Sequence, residues 1–252
     1  MIRSDVDRYR YMLSFDDATA ARPGDRDGSR VGGTGPLNTL RAVVLCKGLQ
    51  ATVVYRFGHA LFRWQPTSTP ARALRIAGRL VHFAATRFVE MTTGISIAER
   101  ATIGRGLYIG HFGGVIIGVV TLGDNCNISH GVTLGRSGRV GSFGRPELRD
   151  RVWVGPGAVL TGPIFIGHDA VIGANAVVTR DVPAGAAALG VPAAIRPGKP
   201  SFEMITYRGA DRDPSRLAAM AALATPDNTG RIPPQSRRGV VTPVATTDAL
   251  GS

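Results

Sequence analysis

Cysteine is nearly absent from this sequence. There are two, Cys46 and Cys126, which supply neither a disulfide framework nor metal-ligand spacing, so no metal site is expected and a reduced, cytoplasmic setting fits. Aromatic residues are sparse, at 6%, and the basic–aromatic interleaving of a nucleic-acid reader is missing, so no nucleic-acid partner is expected. No apolar run is long enough to span a bilayer: residues 40–64 come nearest, but Arg41, Lys47, Arg56 and Arg63 interrupt them. The opening Met-Ile-Arg-Ser-Asp lacks the apolar segment of a signal peptide. Acidic residues are also scarce, 18 against 30 Lys and Arg for a net charge of +12. The excess lies mostly before residue 93 and forms no single stripe, which favours small anionic ligands such as phosphorylated cosubstrates.

What the sequence does have is a count of six. Leu148, Val154, Leu160, Ile166, Ile172 and Val178 follow one another at that spacing, and glycine follows Val154, Ile166 and Ile172. Four positions after the aliphatic stands a second residue, small at Ala158, Ala170 and Ala176 and bulky at Ile164. The step also links Ile97, Ile103 and Ile109, and then Leu122, Ile128 and Leu134, with a shortened step of five from Ile117 to Leu122. Neither a helix at 3.6 nor a lone strand at 2 has this period. It predicts a parallel β-helix, one short strand and one turn per hexad, with the aliphatics stacked inward and the glycines supplying turn conformations.

Around that solenoid the chain divides into three. Residues 1–92 read as an α-helical N-terminal region: a short helix over 2–13, a Pro/Gly-rich loop over 16–36, a helical stretch from Leu37 broken near Gly48 and Gly58, and an amphipathic helix over 71–88. Residues 93–200 form the β-helix domain, its coils running from about 94 to 182, with a loop at 136–147 that abandons the hexad and is expected to have a function. Residues 201–252 read as a largely disordered tail apart from a helix near 214–224.

The motifs Ile103-Gly104-Arg105-Gly106, Ile109-Gly110-His111, Val115-Ile116-Ile117-Gly118, Gly131-Val132-Thr133-Leu134-Gly135, Asp181-Val182-Pro183 and Gly190-Val191-Pro192-Ala193 resemble the hexapeptide-repeat acyltransferases of the left-handed β-helix class. Most closely they resemble serine O-acetyltransferases. The resemblance implies a mainly β fold, a left-handed parallel β-helix preceded by an α-helical region. It implies an acetyl-CoA-dependent transfer to a small hydroxyl acceptor in a ternary complex, and a homotrimer or dimer of trimers. His111 matches the family's catalytic histidine, and imidazole suits a general base near neutral pH. The other resemblance-implied positions differ. Ser96 stands where the family's carboxylate partner would be, Arg145 where a second histidine precedes a proline in the loop, and Val119 where an acidic residue follows Ile117-Gly118.

Ser96 and Arg145, with His130, are the candidate acceptor-side residues; Arg145 could hold an acidic acceptor by paired hydrogen bonds or bind a phosphate of CoA. By position the resemblance places the acyl carrier near Gly155, Ala158, Gly173, Ala174 and Ala176, and its phosphates near Arg180, Arg196 and Lys199. Cys126 occupies an inward slot and is expected to be structural, and His168 is expected to be a surface turn. The ending Leu250-Gly251-Ser252 lacks the terminal isoleucine implied for docking to cysteine synthase. The missing partners leave two other readings open, an O-acetyltransferase of sugar or polysaccharide hydroxyls and a non-catalytic trimeric scaffold.

Overall fold

Packing bears out the six-residue count. In the computed structural model, which describes residues 1–20 (13–20 as backbone only), 42–111, 113–137 and 143–224, fifteen strands of two or three residues, β1 (Ile95–Ile97) to β15 (Ala194–Arg196), build three sheets. Sheet A is ordered β1-β4-β7-β10-β13, sheet B β2-β5-β8-β11, and sheet C β3-β6-β9-β12-β14-β15. Each strand pairs in parallel with the strand one coil away, except for the antiparallel β14–β15 closure. The register stacks the aliphatics directly: Ile103, Leu122 and Leu148 on one face, Ile109, Ile128 and Val154 on the next, and Leu134, Leu160 and Val178 on the third. All are essentially buried, and each contributes about 1.5–3 kcal/mol by leaving water. The second slot is inward too: Cys126, Val132, Val152, Ala158, Ala170 and Ala176 are fully buried. Burial pushes the Cys126 thiol up to about 12, as a structural cysteine requires.

The turn chemistry differs from expectation. The glycines right after the aliphatics do not carry positive φ. They let coils stack, since a Cβ on Gly155 would lie 2.8 Å from Ala174 N and one on Gly167 2.4 Å from Ala184 N. Left-handed backbone falls two residues later, three past the inward aliphatic, at Gly106, Asn125, Gly131, Arg151, Gly157, Asp169, Asn175 and Gly185. Glycine, Asn and Asp fill most of these positions because they tolerate that region best.

The helical region also departs from the sequence reading. Helix α1 runs Ile2–Ala20, so it continues into residues assigned to a loop; residues 21–41 lie outside the described part. Helix α2 is continuous over Lys47–Arg63. The expected break near Gly48 falls at Cys46, whose extended backbone separates a helical turn over 42–45 from α2, while Gly58 does not interrupt the helix. Both glycines are contact points, since a Cβ on Gly48 would meet Ile109 O and Tyr9 Oη, and one on Gly58 the His82 ring. Helix α3 spans Thr69–Thr93, opened by Pro70 in its first turn and ended by Gly94 in the left-handed conformation.

These helices satisfy the exposed edge of the first coil, which would otherwise carry unpaired backbone groups. Arg56, buried and paired with Asp5 at 2.8 Å, donates to the carbonyls of Ile103 and Gly104. Tyr55 Oη donates to Ala101 O, Leu107 N donates to Asp5, and Ile109 N donates to Tyr9 Oη.

Past Val182 the coils continue: β14 (Ala187–Leu189) stacks on β12 with Ala188 on Ile172. The segment assigned to a disordered tail packs as far as Ala224, with Ser201 and Ile205 fully buried and helix α4 over Pro214–Ala224. Arg151 holds it, bonded to Asp169 at 2.6 and 2.9 Å and to Ser215 at 2.7 Å. Residues 225–252 lie outside the described part. Between them α1 and residues 201–207 lie against sheet C: Arg8 donates to Asn127 Oδ1, and Asn127 Nδ2 donates to Met204 O.

Candidate active site

Each corner of the prism stacks the residues found two places past the inward aliphatics. Between sheets C and A the residues at that count are His111, His130, Pro156 and Ala174, although the backbone rung stacked on His130 is Gly113, whose carbonyl accepts from Gly131 N as that of His130 accepts from Gly157 N. His111 and His130 are exposed, and their rings meet edge to face at 5.8 Å between centroids and 79° between planes. The two histidines assigned from sequence are therefore neighbours on one edge, where sheet C, packed under its own chain, gives way to sheet A.

The corner that carries His111 is unusual. Ile109 to Ile117 is eight residues, where the equivalent steps Ile128–Leu134, Val154–Leu160 and Ile172–Val178 are six. The usual left-handed position stays in register at Gly114, φ 65°, and the longer turn adds another at His111 itself, φ 63°. A side chain in that region costs roughly 1–2 kcal/mol, and such strain concentrates at functional sites. The enlarged turn is pinned by Gly113 N donating to Thr93 O at 2.9 Å and Val115 N to Gly94 O at 3.1 Å. This feature was countable in the sequence but masked by the repeat on either side.

Ser96 lies on the outer side of β1 and donates its hydroxyl to Glu90 Oε1 at 2.7 Å. Glu90, in the last turn of α3, also pairs with Arg87 at 2.9 Å. Sequence reading passed over Glu90 because the amphipathic helix was ended at residue 88.

Arg145 is not brought to this edge in a single chain. Its loop leaves the corner between sheets A and B, where Leu134 to Leu148 is fourteen residues in place of six. The loop is closed at its base by paired Ser137–Gly144 backbone bonds of 3.0 and 3.1 Å, and Arg145 is exposed. One prism face separates the two corners, on the order of 10–15 Å for four or so extended residues. Residues 138–142 lie outside the described part.

The candidate carrier-binding positions divide. Ala158 and Ala176 are fully buried, and their amides close turns onto Gly155 O and Gly173 O. The amides of Gly155 and Gly173 are likewise committed to Ile172 O and Ala188 O. None of these four presents a free N–H to a carrier. Ala174 is exposed in the histidine column, three coil spacings from His111 or about 14 Å. Arg180, Arg196 and Lys199 are exposed near the end of the coil, with Arg180 donating to Ala193 O at 2.9 Å. Among the described residues no cluster of His, Cys, Asp and Glu could hold a metal, and no helix is long and apolar enough to cross a membrane.

No profile of a known protein family matches the chain. Individual proteins do. It is 39% identical over 196 residues to a serine acetyltransferase of Mycobacterium tuberculosis, covering 73% of this chain and 80% of that protein. It is 44% identical over 154 residues to a serine acetyltransferase of Helicobacter pylori, covering 61% and 83%. Among solved structures, soybean serine acetyltransferase complexed with serine superposes at TM-score 0.56 with 29% identity, over 77% of this chain and 67% of that one. A serine acetyltransferase in complex with CoA superposes at 0.54 with 28% identity, over 77% and 67%. With its hexad solenoid, its helical cap and this degree of identity, the chain belongs to the serine acetyltransferase family of left-handed β-helix acyltransferases.

Proposed function

We propose that the chain transfers an acetyl group from acetyl-CoA to the hydroxyl of L-serine, in a ternary complex, with His111 as general base. The observation that carries this reading is the exposed His111 on an enlarged, strained corner, ring to ring with His130. His111 takes the hydroxyl proton as the oxygen attacks the thioester carbonyl; the thiolate leaves and is reprotonated. General-base help of this kind is worth roughly 10²–10⁴-fold. The pantetheine arm would run down the corner column past Pro156 and Ala174 toward Arg180, Arg196 and Lys199, whose charge suits its phosphates. His130 would line the acceptor side. Arg145, on a loop from another corner, would reach the site of a neighbouring copy and hold the acceptor's carboxylate.

Assembly into a trimer, or a dimer of trimers, is part of the same proposal. The outward face of α3 supports it. Leu74, Ile76, Leu80, Val81, Phe83, Phe88 and Met91 are 62–86% exposed, and at 100° per residue they share one side of the helix. Their combined area is comparable to the ~800 Å² per partner of a standard interface. A cytoplasmic site of action completes the reading.

The test is release of free CoA thiol from acetyl-CoA with L-serine and with a panel of monosaccharides and oligosaccharides. Turnover of serine with millimolar or lower KM is expected. Turnover of a sugar but not of serine overturns the acceptor, and no turnover with any of them favours a scaffold.

A further inference from the structure

An imidazole that accepts a proton through one ring nitrogen works only if the other carries hydrogen and is held in place. Among the described residues, the histidine–carboxylate pairs are His82 with Glu99 and His168 with Asp150; none involves His111 or His130. Yet a carboxylate is built into the same local unit. Glu90 has both oxygens engaged, one by Arg87 at 2.9 Å and the other by the Ser96 hydroxyl at 2.7 Å. Three and four residues after Glu90, Thr93 and Gly94 accept the N–H groups of Gly113 and Val115, which pins the His111 corner to the end of α3. The approach is close: a Cβ on Gly94 would stand 3.2 Å from Gly113 Cα. Ser96 lies two residues beyond Gly94, on the strand that pairs with β4 as it leaves that corner.

The chemistry of the serine then decides. A hydroxyl has one hydrogen and two lone pairs, and that of Ser96 is committed to Glu90. Toward any third group Ser96 can only accept. We propose that Glu90, acting through Ser96, is the positioning carboxylate for His111. In the reacting complex the His111 ring turns from its contact with His130, so that the Ser96 oxygen receives its Nδ1–H and Nε2 is left as the basic nitrogen facing the acceptor. Arg87 holds Glu90 in place at 2.9 Å. This inference rests on His111 being the base, as proposed above.

The experiment compares wild type, Glu90→Ala, and Glu90→Ala combined with Ser96→Asp, all in the full-length protein. Alanine favours the helix at position 90, so melting should report a retained fold. Glu90→Ala is expected to lower kcat roughly 10–10²-fold, less than the 10²–10⁴-fold that the base itself supplies, with KM for acetyl-CoA and serine within about twofold. Adding Ser96→Asp, which places a carboxylate where the hydroxyl stood, should recover most of the loss. Unchanged kcat in Glu90→Ala, or a loss that Ser96→Asp does not recover, overturns the proposal. ¹⁵N NMR of the labelled His111 ring separates this outcome from failure of the acceptor reading. Wild type should show the Nδ1–H tautomer, and Glu90→Ala a mixture, whether or not serine is the substrate. An Nε2–H tautomer in wild type would remove Glu90 from the mechanism.

Discussion

Two corners of this prism place histidine at the same point of the hexad and use it differently. Between sheets B and C the column is Arg105, Asp124, Asp150 and His168, and each rung is bonded to the next. Arg105 N donates to Asp124 Oδ1 at 2.6 Å, Asp124 N to Asp150 Oδ1 at 2.8 Å, and Asp150 N to His168 Nδ1 at 3.3 Å. Between sheets C and A, His111 meets only another imidazole in its column, and the rungs below, Pro156 and Ala174, have neither charge nor donor side chains. The hexad dictates that such a residue points outward. Its neighbour one coil away decides whether it closes a ladder or is left to act on a ligand.

The largest effect that would sharpen this contrast is on rate. His111→Ala should lower kcat by roughly 10²–10⁴-fold, about 2.7–5.5 kcal/mol of barrier, while the melting temperature stays within a degree or two. A variant with wild-type kcat would erase the distinction between the corners. Asp150→Ala should do the reverse. It leaves the Asp124 amide without its acceptor and costs about 1–3 kcal/mol of stability, visible in urea unfolding, with kcat unchanged for the folded fraction. His130→Ala should fall between: losing an edge-to-face ring contact of about 0.5–1.5 kcal/mol predicts a 2- to 12-fold drop in kcat/KM. A larger loss, matching that of His111→Ala, would make His130 a second proton carrier.

The contrast also shows what the sequence could yield. Inward positions were legible because burial at two fixed places in every six residues leaves a pattern no helix or ordinary strand produces, and Leu160, Ile166, Ile172 and Val178 are all fully buried. Outward placement of His111, His130 and His168 followed from the same count. What no count contains is the pairing between coils: that His168 meets Asp150 while His111 meets His130 depends on coil lengths, including the eight-residue step after Ile109. For a related reason Gly58 does not break its helix. Propensity treats glycine as a helix breaker, whereas here helix α2 needs the missing Cβ to touch Ile109 and His82. Glu90 was lost because a boundary drawn from apolar spacing stopped one turn too early, where only the αL cap at Gly94 ends the helix.

His168 gives the smallest effect and the finest test. Its Nδ1 lies 3.3 Å from both the Asp150 amide nitrogen and Asp150 Oδ2, so a protonated ring can donate to the carboxylate and a neutral one can accept from the amide. The hydrogen bond from His168 is the main reason the Asp150 carboxyl is held below its ordinary value; burial opposes it, and the Asp124 amide assists. A carboxyl depressed in the folded state adds stability above its unfolded value, near 3.9, and that stability is lost as pH falls through the folded value. The pair is more than a third exposed on both sides, so solvent limits its worth to less than about 1 kcal/mol. At neutral pH His168→Ala should therefore melt slightly below wild type, with acetyl transfer unaffected. Between about pH 5 and pH 3 wild type should lose stability faster, because it has more to lose, and the two curves should converge. A constant offset down to pH 3 would mean that His168 contributes packing alone. Loss of transfer in His168→Ala would mean that the two corners are not distinct in function.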